Sequence, residues 1–227
     1  MPTTSTRAAT TGRPRAADVE QRTRALIAVA EAALIELGYE GATLSLIAAR
    51  AKVSKKTIYA KFGGKPGLLR AVLQHMADRF MEPDFDLLNR EDPVEGLYQW
   101  ARMILRINQT PASHAITAIA MREGRHFPEF NEAMVEARRV HQQAPLRNYL
   151  QSLQARGLIR PIDCDEVAST MLWILAEDML WSVSTGTAQT QSDEAVDLKA
   201  RRLATLIGHG LLVRHEPPSD RCDGKSA

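Results

Sequence analysis

The sequence predicts an all-α fold of about nine helices, with a small N-terminal three-helix headpiece followed by a larger helical body. Three observations predict it. Ala, Leu, Arg, Glu and Gln are abundant, and these residues keep side-chain freedom in a helix, whereas aromatic residues make up only 5%. Apolar residues recur at helical spacing along most of the chain, and no strand-period segment runs far enough to count. Glycine, proline and short polar caps separate the periodic stretches.

Each element can be justified in order. Residues 1–17 are rich in Thr, Arg, Ala, Gly and Pro without periodicity and are expected to form a flexible basic arm. Asp18 can cap a first helix carrying Leu26, Val29, Ala30, Ala33, Leu34 and Leu37, with Gly38 as its stop. Thr43 can cap a short helix with Leu44, Leu46, Ile47 and Ala48, ending near Ala51. Ser54 can cap a third, Lys55 to Phe62, which Gly63-Gly64 ends. Pro66 suits a first turn, and a fourth helix carries Leu68, Leu69, Val72, Leu73, Met76 and Phe80 to about Met81.

Five helices are expected in the body. Pro93 opens one to about Asn108, and Pro111 another to about Arg125. A long stretch from about Pro128 to Arg156 contains Pro145, which predicts a kink or break. Asp163 to about Val183 follows, ending before Gly186, and the last helix spans Asp193 to Leu212. The polar tail RHEPPSDRCDGKSA is expected to be disordered. The implied divisions are an arm 1–17, a helix-turn-helix domain 18–64, a body 65–213 and a tail 214–227.

Charge is unevenly spread. Residues 1–70 hold 12 Lys and Arg against 5 Asp and Glu, and the remaining residues hold 17 against 22. A head of +7 on a body of −5 suggests that only the head meets a polyanion. The overall +2 and 44% hydrophobic content are ordinary for a globular protein.

The informative stretch is TLSLIAARAKVSKKTIYAKFGGKPGLL, Thr43 to Leu69. Two short helices joined by a tight turn form the helix-turn-helix unit, whose second helix enters the DNA major groove. Leu46, Ile47, Val53, Ile58 and Phe62 are expected to point inward, leaving Lys56, Thr57, Ala60 and Lys61 outward. A short face with one small residue and three hydrogen-bonding neighbours suits base edges. Thr43 and Ser54 start helices, where unpaired N–H groups attract anions, and Lys55, Tyr59 and Lys65 add charge or a hydroxyl at the rim. Such rim contacts would set register while the outward face reads sequence.

This stretch resembles the tetracycline-repressor (TetR) family. The match is carried by Thr43, Ile47, Ala48, Ala51, Val53, Ser54, Thr57, Tyr59, Phe62, Lys65 and Leu68. One departure is Lys52, where the family's turn glycine stands. The resemblance implies that Tyr59 and Lys65 grip phosphates with help from Thr43 and Ser54, and that Lys56, Thr57 and Lys61 face bases. It also implies a homodimer on a near-palindromic operator in double-stranded DNA, with the last two long helices of each subunit forming a four-helix interface. The body would then be the ligand-binding and dimerisation domain. Gly12-Arg13-Pro14 in the arm is a weaker pointer to minor-groove contact.

The fifth, sixth and eighth helices carry apolar residues on more than one face. In Val94 to Asn108 one stripe is Val94, Leu97, Ala101, Ile104 and Leu105, and a second is Trp100, Met103 and Ile107. In Asp163 to Val183, Val167, Met171, Ile174, Leu175 and Met179 face Trp173, Leu180 and Trp181 across the helix. Such helices are central or border a partner or cavity. Met and Trp give adaptable walls for a small hydrophobic or aromatic effector. Trp100, Met103, His114, Met121, Met134 and Trp173 are the expected lining residues. Glu177, Asp178, Arg122 and His141 are polar groups that need partners in such surroundings.

No His-Glu-x-x-His, phosphate-binding glycine loop or Gly-x-Ser-x-Gly occurs, so no catalytic residue, metal site or cofactor is expected. Cys164 and Cys222 lack metal-ligand spacing. The N-terminus has no apolar signal core, and no apolar run approaches the ~20 residues of a bilayer span, so a cytoplasmic protein without membrane contact is expected. The competing classes are an enzyme, which turnover without DNA would favour, and a helical interaction protein whose basic head meets another protein.

Overall fold

A computed structural model describes residues 16–79, 87, 92–187 and 191–212. The chain divides into two compact units, the first ending at Val72 and the second starting at Leu73. No strand is present among the described residues, apart from one isolated bridge.

In the first unit α1 (Ala16–Gly41) packs on α2 (Leu44–Arg50), and α2 packs on α3 (Lys55–Phe62). The helix begins at Ala16, three residues before the first position that Asp18 would cap, so Asp18 lies in its first turn and is not its cap. Ala16 and Ala17 are strong helix formers and extend it backwards. The remaining arm, with Gly12-Arg13-Pro14, lies outside the described residues. Gly38, at φ 74 and ψ −179, breaks α1 where expected, and one more turn swings Tyr39 into the core. An L residue with a side chain resists that conformation. Leu26, Ala30, Ala33 and Leu34 form the buried stripe of α1, and Ile47, Ile58, Leu68, Leu69 and Val72 complete the core. Arg50 holds Glu36 through two hydrogen bonds of 2.6 and 3.2 Å, tying α2 to α1. The guanidinium keeps the Glu36 carboxyl below its ordinary range. The next helix, α4, runs over Lys65–Asp78, and the expected extension to Phe80 and Met81 lies outside the described residues.

The second unit holds α5 (Pro93–Asn108), α6 (Pro111–Glu123), α7 (Pro128–Arg138), α8 (Ala144–Ala155), α9 (Cys164–Thr185) and α10 (Asp193–Leu211). Proline in the first turn and Asp92 or Thr110 as N-cap start α5 and α6 at the predicted positions. Asp163 caps α9 by accepting from the Asp165 and Glu166 amides at 3.0 Å. Leu212 leaves α10 one residue early and forms the bridge with Ile159.

The long stretch around Pro145 does not simply kink. Residues Arg139–Gln143 form a π turn between α7 and α8, in which the Ala144 amide reaches back to the Arg139 carbonyl. Pro145 has no N–H to give the His141 carbonyl, and its ring crowds that oxygen, so the helix widens by one residue. Inside the wider turn, the Gln142 carbonyl accepts the Trp100 indole N–H at 3.2 Å.

The core of this unit joins α5, α8, α9 and α10 through Leu97, Trp100, Ile104, Tyr149, Leu153, Met171, Leu175 and Leu203. Tyr149 lies against α5 so tightly that a Cβ on Gly96 would sit 2.0 Å from its hydroxyl, which donates to the Asp92 carbonyl at 3.2 Å. Arg102 of α5 pairs with Asp197 of α10 at 2.6 Å. Cys164 is buried, and desolvation pushes its thiol up.

Candidate DNA-binding surface and effector cavity

The geometry of α3 starts with its two ends. Ser54 Oγ accepts the Thr57 amide at 3.0 Å and shares a 2.9 Å hydrogen bond with the Thr57 hydroxyl. Thr43 does the same for α2, accepting from the Leu46 amide at 3.3 Å. Between them the Val53 amide donates to the Ala48 carbonyl at 3.0 Å and the Lys52 amide to the Ala49 carbonyl at 3.2 Å. This six-to-one and five-to-two pair closes a helix around a left-handed residue. That residue is Lys52, at φ 54, the one positive-φ residue other than glycine among those described. The turn geometry is therefore kept despite the lysine.

Ile58 is fully buried and locks the rotation of α3. Lys55, Lys56, Thr57, Tyr59, Ala60 and Lys61 are all exposed as a result. Of the expected inward residues, Ile47 and Ile58 are buried, whereas Leu46, Val53 and Phe62 are half-buried. Lys61 donates to the Thr23 hydroxyl of α1. Lys65 differs from the rest. It is half-buried, donates to the Tyr39 carbonyl and, at 3.4 Å, to the Glu40 carbonyl, and lies 4.3 Å from the Tyr39 ring centre. It thus pins the start of α4 to the end of α1. The arrangement is an exposed face of cations and hydroxyls with small Ala60 among them, a surface able to meet a polyanionic groove.

The second unit holds a partly open cavity of about 290 Å³, walled by the last turns of α4, by α5, α6, α7 and α9, and by the π turn. Met103, Met134 and Trp173 line it as expected residues. His114 lines a neighbouring cleft, also about 290 Å³, together with Asp178 and Gln191. Trp100 and Met121 line neither. Trp100 is fully buried in the core, and Met121 is 47% exposed on α6. Glu177 and Asp178 are exposed, and Asp178 is held by Lys199 and Gln191. The lysine holds the Asp178 carboxyl below its ordinary range. Arg122 pairs with Glu123, and His141 lines the cavity.

Sequence reasoning missed Met76, Met179 and Thr117 on the wall, and missed Arg138. Arg138 follows Met134 by one helical turn, so the two share a face. Its guanidinium stacks 4.4 Å from the Trp173 ring centre, and burial lowers its pKa from the ordinary arginine value.

Comparison with known proteins matches this architecture. The family model for bacterial regulatory proteins of the tetR family matches residues 26–72. A second, for the C-terminal domain of AefR-like transcriptional repressors, matches residues 95–207. The chain belongs to the TetR family. It is accordingly a DNA-binding transcriptional regulator and not an enzyme. TetR-family regulators bind DNA and small-molecule effectors and act as dimers.

The fold is shared with solved TetR structures. A Mesorhizobium loti protein assigned to the family is 24% identical, with 88% of this chain and 100% of that one covered at a TM-score of 0.69. The flavonoid-responsive regulator FrrA gives 20%, 86%, 99% and 0.67. A TetR regulator of Agrobacterium tumefaciens gives 21%, 86%, 96% and 0.62. No curated protein matches the sequence. No helix among the described residues is long and apolar enough to cross a membrane, and none of those residues form a cluster able to hold a metal ion.

Proposed function

We propose that this TetR-family regulator is a cytoplasmic homodimeric repressor released from a near-palindromic operator by a small hydrophobic or aromatic effector. The headpiece, residues 18–64, grips DNA, and the body, residues 65–213, senses the effector and dimerises. In this reading Lys56, Thr57 and Lys61 face base edges. Tyr59, Lys55, Thr43 and Ser54 hold phosphates, and Lys65 contributes positive charge while anchoring α4.

The observation that carries the reading is the exposed α3 face held in place by buried Ile58. The similarity to AefR-like repressors supports a negative regulator, and FrrA, a regulator of the same fold, is flavonoid-responsive, which favours an aromatic effector here. The release mechanism is linkage. α4 is one continuous helix, and its residues Leu73, Met76 and Ala77 line the cavity while Lys65 anchors its first turn. An effector that prefers one position of α4 shifts DNA affinity by that preference, and about 1.4 kcal/mol of coupling changes it tenfold.

The test is selection of bound duplexes from a random pool, followed by titration of the selected site at several salt concentrations. Two chains should bind per duplex, and log affinity should fall linearly with log salt, with a slope near −0.9 per phosphate neutralised. Absence of duplex binding in dilute buffer would refute the reading.

A further inference from the structure

Resting on the sensor reading above, we infer that the effector is an aromatic carboxylate whose anionic group pairs with Arg138 at the cavity wall.

Arg138 is the one permanently charged side chain among the residues lining the cavity, and no Asp or Glu is among them. Its sequence neighbourhood offers one nearby carboxylate, Glu136, and Arg139 already holds both oxygens of it at 2.8 and 2.9 Å. Arg138 therefore has no acidic partner among the described residues, and its described contact is the Trp173 ring. A half-buried guanidinium without a counter-ion has N–H donors to offer at an apolar wall, where a carboxylate would be bound by charge-assisted, two-pronged hydrogen bonds. Burial against this wall also lowers the Arg138 pKa from its ordinary value.

The rest of the lining defines the body of the ligand. Met76, Met103, Met134 and Met179, four of the chain's eight methionines, surround the cavity. Thioether sulfur interacts favourably with aromatic rings and adapts to their outline. Thr117 is turned toward one of these sulfurs, its hydroxyl 3.8 Å from Met179 Sδ, and Asn108 donates to the Leu175 carbonyl at 3.0 Å. Those two polar groups are thus internally engaged, and of the remaining polar lining, Ser113, His141, Gln142 and Arg138, the guanidinium is the one group that carries charge at every working pH. A volume of about 290 Å³ lies at the lower end for small-ligand pockets and suits one or two fused rings.

The experiment titrates the intact protein with naphthoate and with naphthalenemethanol, its uncharged counterpart, following tryptophan fluorescence and release of the selected operator. Wild type should prefer naphthoate by roughly ten- to a hundredfold, the range of a charge-assisted hydrogen bond. Arg138→Met should remove that preference while binding the alcohol as before, and Arg138→Lys should keep part of it. Equal affinity of wild type for the two probes, or full retention of the preference in Arg138→Met, overturns the carboxylate assignment. In either case operator release by the alcohol still upholds the sensor reading. If neither probe binds a protein that still binds its operator, the assignment falls and the cavity loses its role as an aromatic sensor as well.

Discussion

Lys52 occupies a backbone conformation that disfavours any residue with a Cβ, by about 1–2 kcal/mol. Lys52→Gly should relieve most of that and return a little through the freer unfolded chain. The net expectation is a gain of about 0.5–1 kcal/mol, read as a higher melting temperature with unchanged circular dichroism. On the exposed face of α3 two substitutions separate gripping from reading. Tyr59→Phe should weaken binding to every sequence alike, by about tenfold, because it removes one hydrogen bond to a charged group. Lys56→Ala should instead relax preference at one operator position, a loss of about 1–3 kcal/mol in discrimination. Equal weakening at all sites by Lys56→Ala would remove that residue from the base-facing set. The exposed face of α3 was legible because Ile58 and Phe62 mark an inner side and the lysines lie opposite. The engagement of Lys65 was not, since nothing in the local pattern reveals that the Tyr39 carbonyl lies within its reach.

At the scale of elements, the helix starts were readable because proline and side-chain caps act locally. Pro93, Pro111 and Asp163 each mark the end of a helix where the structure has it. The cavity was only partly readable. Met103 and Trp100 belong to the same apolar stripe of α5, yet one lines the cavity and the other is core. Periodicity tells which residues avoid water, and it does not tell what replaces the water. Arg138 escaped notice for the opposite reason, since a charged residue beside Arg139 is expected to face solvent. Close approach of α8 to α5 gives a sharp test of the packing. Gly96→Ala would place a methyl 2.0 Å from the Tyr149 hydroxyl. It should cost about 1–3 kcal/mol by overpacking and lower the melting midpoint by several degrees.

At the scale of the whole molecule, charge links stability to pH. Asp197 is held below its ordinary pKa first by its hydrogen bond to Arg102, and Asp178 by its hydrogen bond to Lys199. A carboxylate depressed in the folded state contributes stability that is complete above its unfolded pKa of about 4 and is lost as pH falls through the folded value. The second unit should therefore lose stability on acidification below about pH 4. Asp197→Asn should be less stable than wild type at neutral pH, and the gap should narrow in acid. An unchanged gap across that window would show that the pair with Arg102 is idle. Both groups are substantially solvated, so the slope should be shallow and should flatten further in salt.

The π turn has a consequence for how this chain can change over time. The wide turn takes up a single surplus residue, so the helical phase downstream of it is kept. Deleting one residue from the five between Arg139 and Gln143 would leave the following segment in nearly its present orientation, because the wide turn with five residues sweeps about the same angle as four at roughly 100° each. Tyr149, Leu150 and Leu153 would then stay on the core face, whereas the same deletion inside α8 ahead of Tyr149 would turn them by about 100° and out of it. The wide turn is thus the place where this rod can gain or lose a residue without re-indexing the face that keeps the body folded.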